Sequence, residues 1–574
     1  MLGDPKPNNR CWVFVKLISP TNSQTANSAG NPKLLEAGRI FMKTFCITGL
    51  LGGVALLAPA AEGARNLKRN SLSKTPPMGW MSWELFRCDT KSCGDNPDPA
   101  TTHCISEALY KGQTDALASG GFIDAGYKGI HMDDCWEQKD PKRDPTSGEL
   151  VPEPTRFPSG MKALGDYMHA KGATMGLYTA ESSSTCGGYP ASANNEALDA
   201  KTFARWGVDY MKVDGCGPAS YYKGGYAAMG AALQASGRDI VYSCSWPAYI
   251  NGGNETLQPF GEFINDGCNL WRNWHDIQCS WGSLGSIIDH WGDYGPSLVP
   301  AAGPGHWHDM DMLLVGSHCV TEAEERTQMA VWSISASPLI MGNDLRNISA
   351  ASKAILQNRD AIAVSQDALG QMGKRLDSSS AGGTPGGAAA QVWARNLAGG
   401  DVAVALFNKG GGGGVFPPFP TPASCPADTW TATTGSYHES CTDGDHGGND
   451  GQFSNLTPAQ AQANCCKDAN CAGISITKGA TGSGFYKRNA NCGITKSSAY
   501  DGYTRSSAIP SAPPSTDVAD VTVQFDDPEI NLFGEVEVYD IWAQKSIGYF
   551  TGSYTAHSVA FHDSAFLRLT GWHQ

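Results

Sequence analysis

The sequence predicts an α/β fold, a (β/α)8 TIM barrel followed by a C-terminal antiparallel β-sandwich domain that a small Cys-rich disulfide module interrupts. Three observations predict it. From about residue 72 to 370, apolar runs alternate with longer amphipathic stretches, the pattern of repeated strand–helix units, and the length suits an eight-fold barrel. Beyond about residue 370 the apolar period falls to two, as in antiparallel strands. Between a Gly- and Pro-rich linker and a second, Pro-rich one lies a short stretch with six cysteines.

At the N-terminus, residues 1–41 are polar and without periodicity, a non-native or disordered leader. Residues 42–64 read as a secretory signal peptide: Lys43 opens a basic start, an apolar run follows, and Ala60 to Ala64 form a small-residue end. The run is short for a membrane span, so no stable membrane insertion is expected after cleavage. Met42 then stands as the translation start, and a retained signal anchor is the rival reading. Of 18 cysteines, Cys11 and Cys46 fall in this part, and 18 − 2 = 16 remain. An even set suits disulfides in the secretory pathway, outside the cell or in a lysosome or vacuole. Sequons at Asn254, Asn347 and Asn455 fit the same route.

Within 72–370, Ile130 to Asp134, Thr174 to Tyr178, Tyr210 to Asp214 and Ile240 to Cys244 read as buried strands. Phe157 to Lys171 and Asn195 to Trp206 read as helices between them. Each strand ends in polar or charged residues, and barrel active sites sit at that end. The β domain spans 371–410 and 517–574, with alternating runs Gln391 to Arg395, Val402 to Leu406, Val521 to Phe525 and Glu535 to Tyr539. The inserted module, 425–505, carries Cys425, Cys441, Cys465, Cys466, Cys471 and Cys492, a disulfide-stapled unit that binds a glycan or protein or serves only as decoration. Charged residues are 17% with a net charge of −14, both signs interspersed. Nucleic acid and anionic membranes call for clustered Lys and Arg, so neither is an expected partner, whereas a neutral carbohydrate is compatible. A homodimer is left open.

Two aspartates at strand ends stand out as a carboxylate pair. A retaining glycosidase needs one carboxylate to attack the anomeric carbon and another, about 5 Å away, to protonate the leaving oxygen and then activate water. Asp214 lies at the strand end within the run Met211 to Cys216. Lys212, two residues earlier, shares its face, and an ammonium there favours an ionised nucleophile. Asp276 lies in a loop after the short run from Leu270. An isolated strand-end Asp more often caps a helix or closes a salt bridge, so the surroundings must decide.

Those surroundings are MGWMSW at 78–83, MDDCW at 132–136, KVDGC at 212–216, CSWPAY at 244–249, LWRN at 270–273, AGPGHW at 302–307, DML at 311–313 and PLIMGNDLR at 338–346. In this order they resemble glycoside hydrolase family 27, the α-galactosidases and α-N-acetylgalactosaminidases, over residues 72–408 and again over 518–572. The resemblance implies Asp214 as nucleophile and Asp276 as acid/base. It implies that Asp133 and Asp134 bind the sugar 4- and 6-hydroxyls, that Lys212 reaches the 3- and 4-hydroxyl side, and that Trp83 is an apolar platform. Tyr178, Cys186, Tyr249, Arg272, Asp311 and Met312 match other pocket positions. Ser245 and Ala248 stand where galactose-selective members look to have Glu and Leu; these small residues leave room for a 2-acetamido group. Hydrolysis of terminal α-linked N-acetylgalactosamine is therefore expected, with an α-galactosidase or dual-specificity enzyme as the alternative and an inactive sugar-binding barrel as the third reading. The resemblance further implies the disulfides Cys88–Cys135, Cys93–Cys104, Cys186–Cys216 and Cys244–Cys268, with Cys279 and Cys319 available for another.

Neither metal nor cofactor is expected. His306, His308, Asp309 and Asp311 superficially suggest a metal site but lack a complete ligand spacing. Asp443, Asp445 and Asp450 lack EF-hand spacing. The run from His308 to Asp311 departs from the family pattern, as does His275 before the expected acid, and both bear on pH dependence.

Overall fold

The computed structural model describes residues 72–376, 390–410 and 518–573, together with the backbone of strands between residues 430 and 505. The leader, the signal segment and the cysteines of the inserted module lie outside the described residues. Among the described residues no helix is long and apolar enough to cross a membrane.

Eight strands form one parallel sheet: β1 (Met78–Met81), β2 (Gly129–His131), β3 (Thr174–Ala180), β4 (Tyr210–Asp214), β5 (Val241–Cys244), β6 (Leu270–Arg272), β7 (Trp307–Asp309) and β8 (Leu339–Met341). They pair in chain order, and β1 also pairs with β8. A parallel bridge from Leu313, just beyond β7, to Met341 draws the ends together. At the β1–β2 contact the backbones touch: a Cβ on Gly79 would lie 2.8 Å from the Gly129 Cα, so no larger residue fits. The helices expected over 157–171 and 195–206 run Gly160–Ala170 and Glu196–Trp206. The first starts late because Pro158 disfavours helical backbone in the residue before it.

Strands β9 (Lys374–Arg375), β10 (Ala390–Asn396) and β11 (Val402–Asn408) begin the second sheet. The inserted segment contributes β12 (Trp430–Thr433), β13 (Ser436–His438), β14 (Gln452–Leu456), β15 (Gly473–Thr477), β16 (Gly482–Lys487), β17 (Ile494–Lys496) and β18 (Tyr500–Arg505). Five of these form an antiparallel sheet ordered β12-β18-β15-β16-β14. The chain then returns through β19 (Val518–Gln524), β20 (Leu532–Asp540), β21 (Lys545–Thr551), β22 (Ser553–Ala560) and β23 (Ser564–His573). A six-stranded sheet ordered β21-β20-β23-β11-β10-β9 faces the pair β19-β22, making the C-terminal β-sandwich.

Strand β11 shows what the period of two accomplishes. Ala403, Ala405 and Phe407 join the barrel core, while Val402, Val404 and Leu406 join the sandwich core. Successive side chains point to opposite faces, so one strand seals two cores, and each buried Val or Leu stabilises by about 1.5–3 kcal/mol. The Arg326–Asp563 ion pair at 2.6 Å and the Thr327 hydroxyl on the His562 carbonyl at 2.8 Å add polar links between barrel and sandwich.

Candidate active site

The polar strand ends converge at one mouth of the barrel, the C-terminal end where loops are free to build a site. Trp83 follows β1, Asp133 and Asp134 follow β2, Tyr178 lies in β3, Lys212 and Asp214 end β4, Ser245 follows β5, Arg272 ends β6 and Asp311 follows β7.

Asp214 is held from three directions. Its Oδ1 accepts the Gly215 N–H at 2.9 Å and the Tyr249 hydroxyl at 2.7 Å, and its Oδ2 accepts the Tyr178 hydroxyl at 3.0 Å. Lys212 shares its face but does not bond to it; the ammonium instead donates to Asp133 Oδ2 at 2.6 Å, with Asp214 among the charges it senses. Gly215 is required here, because a Cβ would meet the Tyr249 ring at 2.5 Å. Tyr222 supports the same turn by donating to the Gly217 carbonyl at 2.6 Å. Although 43% of Tyr249 is exposed, its hydroxyl end lies against the site, where desolvation and the Asp214 charge raise its pKa and keep it a donor.

The Cys186–Cys216 disulfide bridges the β3 and β4 loops, with Cys186 Sγ 3.9 Å from Asp214 Oδ2. This grouping of Cys186, Cys216 and Asp214 has the proximity of a ligand set, yet both sulfurs are consumed in the bond. The structure also joins Cys88 to Cys135, Cys93 to Cys104, Cys244 to Cys268 and Cys279 to Cys319. Five disulfides among the described residues suit a chain folded in the secretory pathway.

Asp133 and Asp134 are buried side by side. Burial pushes Asp133 upward despite Lys212, and pushes Asp134 to about 6 despite N–H groups from Cys135 and Gly187, both at 2.6 Å. Burial thus raises the proton affinity of both carboxyls, while Asp133 stays paired with the Lys212 ammonium. Opposite them, β5 leads into a short 3-10 turn, Trp246–Tyr249, anchored by Trp246 stacked 5.4 Å from Tyr226. Ser245 donates its N–H to the Val213 carbonyl at 3.0 Å, and Ala248 donates to the Ser245 carbonyl at 3.2 Å. Both small residues thus sit on the turn that delivers Tyr249 to Asp214.

Asp276 is built differently. Its side chain is 57% exposed, and Arg272 holds it at 3.1 Å while also binding Asp311 at 2.8 Å. Asp311 Oδ2 accepts the Ile277 N–H at 2.8 Å, and its Oδ1 accepts the N–H of the buried Met312 at 2.8 Å. Desolvation pushes Asp276 up, but Arg272, Lys212 and Arg87 outweigh it and hold the carboxyl below its ordinary range. His308, flagged for pH dependence, is buried; its Nδ1 accepts from Trp271 at 2.9 Å, its Nε2 meets the Leu298 carbonyl at 2.9 Å, and burial lowers it to about 3. Its buried ring is therefore neutral above that value.

Residues 75–367 match the family described as alpha galactosidase A, and residues 512–569 match the alpha galactosidase C-terminal beta sandwich domain. The chain belongs to this family, the melibiases of glycoside hydrolase family 27. It is therefore a glycosidase of the α-galactosidase/α-N-acetylgalactosaminidase group, with a carbohydrate substrate. The α-N-acetylgalactosaminidase of Gallus gallus is 47% identical over 311 residues, 54% of this chain and 74% of the relative. Alpha-galactosidase A of Homo sapiens is 42% identical over 359 residues, 62% of this chain and 79% of the relative. The crystal structure of α-galactosidase I from Mortierella vinacea shares the fold with a TM-score of 0.58 at 24% identity, covering 88% of this chain and 98% of that one.

Sequence reasoning missed several polar residues packed around the Asp276 and Asp311 loops. Glu84, Arg87 and Gln278 form a hydrogen-bonded group beside the Asp276 loop, and Asp309, pushed by burial to about 6, accepts the Asp311 N–H at 2.8 Å. Nothing in the spacing joins Arg87 to Gln278, 191 residues away; the only local sign was the cysteine that follows Arg87.

Proposed function

We propose that the protein is a retaining exo-glycosidase that removes terminal α-linked N-acetylgalactosamine from glycoconjugates. Asp214 attacks the anomeric carbon while Asp276 protonates the departing glycosidic oxygen, giving a glycosyl ester on Asp214. Asp276, now a carboxylate, takes a proton from water as that water attacks the anomeric carbon, Asp214 leaves as a carboxylate, and the sugar departs with its configuration retained. Trp83 provides the apolar platform, and Asp133, Asp134 and Lys212 hold the hydroxyls on the far side of the ring.

One observation supports the choice of sugar: Ser245 and Ala248, both small, lie on the turn next to the nucleophile. A 2-acetamido group fills that space and takes a hydrogen bond from Ser245, whereas galactose leaves a void and an unmade bond, a difference of about 1–3 kcal/mol. The identity to alpha-galactosidase A supports a second reading, an enzyme that accepts both sugars. Turnover of nitrophenyl α-N-acetylgalactosaminide and α-galactoside by the processed protein decides between them. The expected ratio of kcat/KM favours the acetamido sugar by about 10–200-fold, and S245E/A248L should reverse it. Faster galactoside turnover by the unsubstituted protein overturns the reading. Folding in the secretory pathway supports delivery outside the cell or to a lysosome or vacuole.

A further inference from the structure

Arg87 is the one bulky residue of the β1 loop in a conformation that L side chains rarely adopt, with φ +44° and ψ −134°. Strain of this kind persists where the surroundings over-determine it, and it clusters at functional sites. Here the surroundings are visible. The Arg87 N–H bonds to the Trp83 carbonyl at 3.1 Å, and the next residue, Cys88, is tied to Cys135. The guanidinium lies 5.5 Å from the Trp83 ring centroid, within cation–π range, and its side chain is only 11% exposed. From there Nη2 donates to Glu84 Oε2 at 2.9 Å and to Gln278 Oε1 at 3.0 Å.

Gln278 is two residues beyond Asp276. Its N–H donates to the Ser283 hydroxyl at 2.9 Å, its amide reaches back to the Asp276 carbonyl at 3.5 Å, and the neighbouring Cys279 is bonded to Cys319. The Asp276 loop is therefore held at Asp276 and Ile277 by Arg272 and Asp311 and at Gln278 by Arg87.

We propose that Arg87 is a positioning residue for the leaving-group step, tying the loop that carries Asp276, through Gln278, to the segment that carries Trp83. A sugar seated on Trp83 packs against the same ring that Arg87 flanks, so platform and acid are held in one register. Arg87 also adds charge. The groups around Asp276 are the cations Arg272, Lys212 and Arg87, with Glu84, Asp311 and Tyr249 on the other walls. Burial pushes Glu84 to about 8 even beside Arg87, so below that pH Glu84 is mostly neutral and the Arg87 charge acts on Asp276 largely uncancelled.

This inference rests on Asp276 as acid/base, and the test separates the two. Full-chain R87M, R87K, Q278L and D276N are compared on aryl α-glycosides whose leaving groups range from dinitrophenol to phenol, using whichever sugar the enzyme turns over faster. R87M should lose about tenfold more kcat/KM on the phenyl than on the dinitrophenyl glycoside, a fraction of what an acid catalyst supplies. Its alkaline limb should move to higher pH, since removing a cation raises the proton affinity of Asp276. R87K should restore the limb without restoring the rate, and Q278L should reproduce the rate loss with the limb unmoved. Equal losses on all leaving groups with an unmoved limb in R87M would reduce Arg87 to a structural part and overturn the proposal. Should R87M fail to fold, a Q278L enzyme indifferent to the leaving group overturns it as well. If D276N keeps the unsubstituted enzyme's leaving-group dependence, the acid/base assignment itself fails.

Discussion

The two sides of the cleft hold a carboxylate by opposite means. Asp214 ends a strand, and its position follows from the sheet register, in which it pairs with Ala180 while Lys212 pairs with Tyr178. Two phenols, one backbone N–H and a disulfide finish the job. Asp276 has no strand under it. It rides a loop fixed by ion pairs from Arg272 and by the backbone grip of Asp311. Neutral donors that stay donors at any working pH surround Asp214, the proposed nucleophile, and fixed ionic partners surround Asp276, the proposed acid. The nucleophile side should therefore respond to substitution in the chemistry of the ester, and the acid side in pH and leaving group.

The largest effect tests the nucleophile side. Asp214→Ala should lower kcat by more than about 10⁴-fold, the scale seen when a covalent nucleophile is removed. Added azide should then occupy the vacated space and give the inverted β-glycosyl azide from an α-glycoside. An α-azide would instead mean that the ester still forms and that the roles have been misassigned.

The acid side should lose less, and unevenly. Asp276→Asn should cost about 10²–10⁴-fold on a poor leaving group and far less on dinitrophenolate, which departs without a proton. Azide should rescue this variant with retention, since Asp214 still forms the ester. The sign of the pH dependence follows from the cations: they hold Asp276 below the ordinary aspartate range, so its protonated fraction falls as pH rises past that lowered value. In the unsubstituted enzyme kcat/KM for a poor leaving group should decline steadily from about pH 4 toward 7, and the decline should vanish in the Asn variant. An unchanged profile would assign the limb to another group.

How far the sequence could see also divides along this line. The strand-end aspartates, the period-two strands and the barrel rhythm are local patterns, and Tyr210 to Asp214 forms the buried strand that its apolar run suggested. Helix starts moved by a few residues where Pro158 intervened. The role of Lys212 was legible as a shared face but not as a partner: its ammonium chose Asp133, 79 residues away, over the aspartate two residues along. Such choices depend on how β2 and β4 approach across the barrel mouth, which no spacing encodes. The grip of Arg87 on Gln278 was invisible for the same reason, and so was the commitment of His308 to Trp271. The six cysteines of the inserted module lie outside the described residues, and their pairing is as open as the sequence left it.

The smallest effect asks whether the phenols only place Asp214 or also carry its charge. Oδ1 has two donors and Oδ2 one, so the oxygens are not equivalent: Oδ2 is freer to attack, and Oδ1 is better able to hold the charge that returns when the ester breaks. A hydrogen bond to a charged group is worth about 1.5–3 kcal/mol, although Gly215 and Tyr178 retain part of that when Tyr249 is gone. Tyr249→Phe should therefore slow breakdown of the ester by about tenfold while leaving its formation nearly unchanged. With an activated glycoside the variant should show a burst of released phenol followed by slow turnover, because the ester accumulates. A variant that loses rate in the burst itself would show that Tyr249 acts by orienting the carboxylate. The contrast between the two sides of the cleft would then be one of rigidity alone, with no electrostatic part for the phenol.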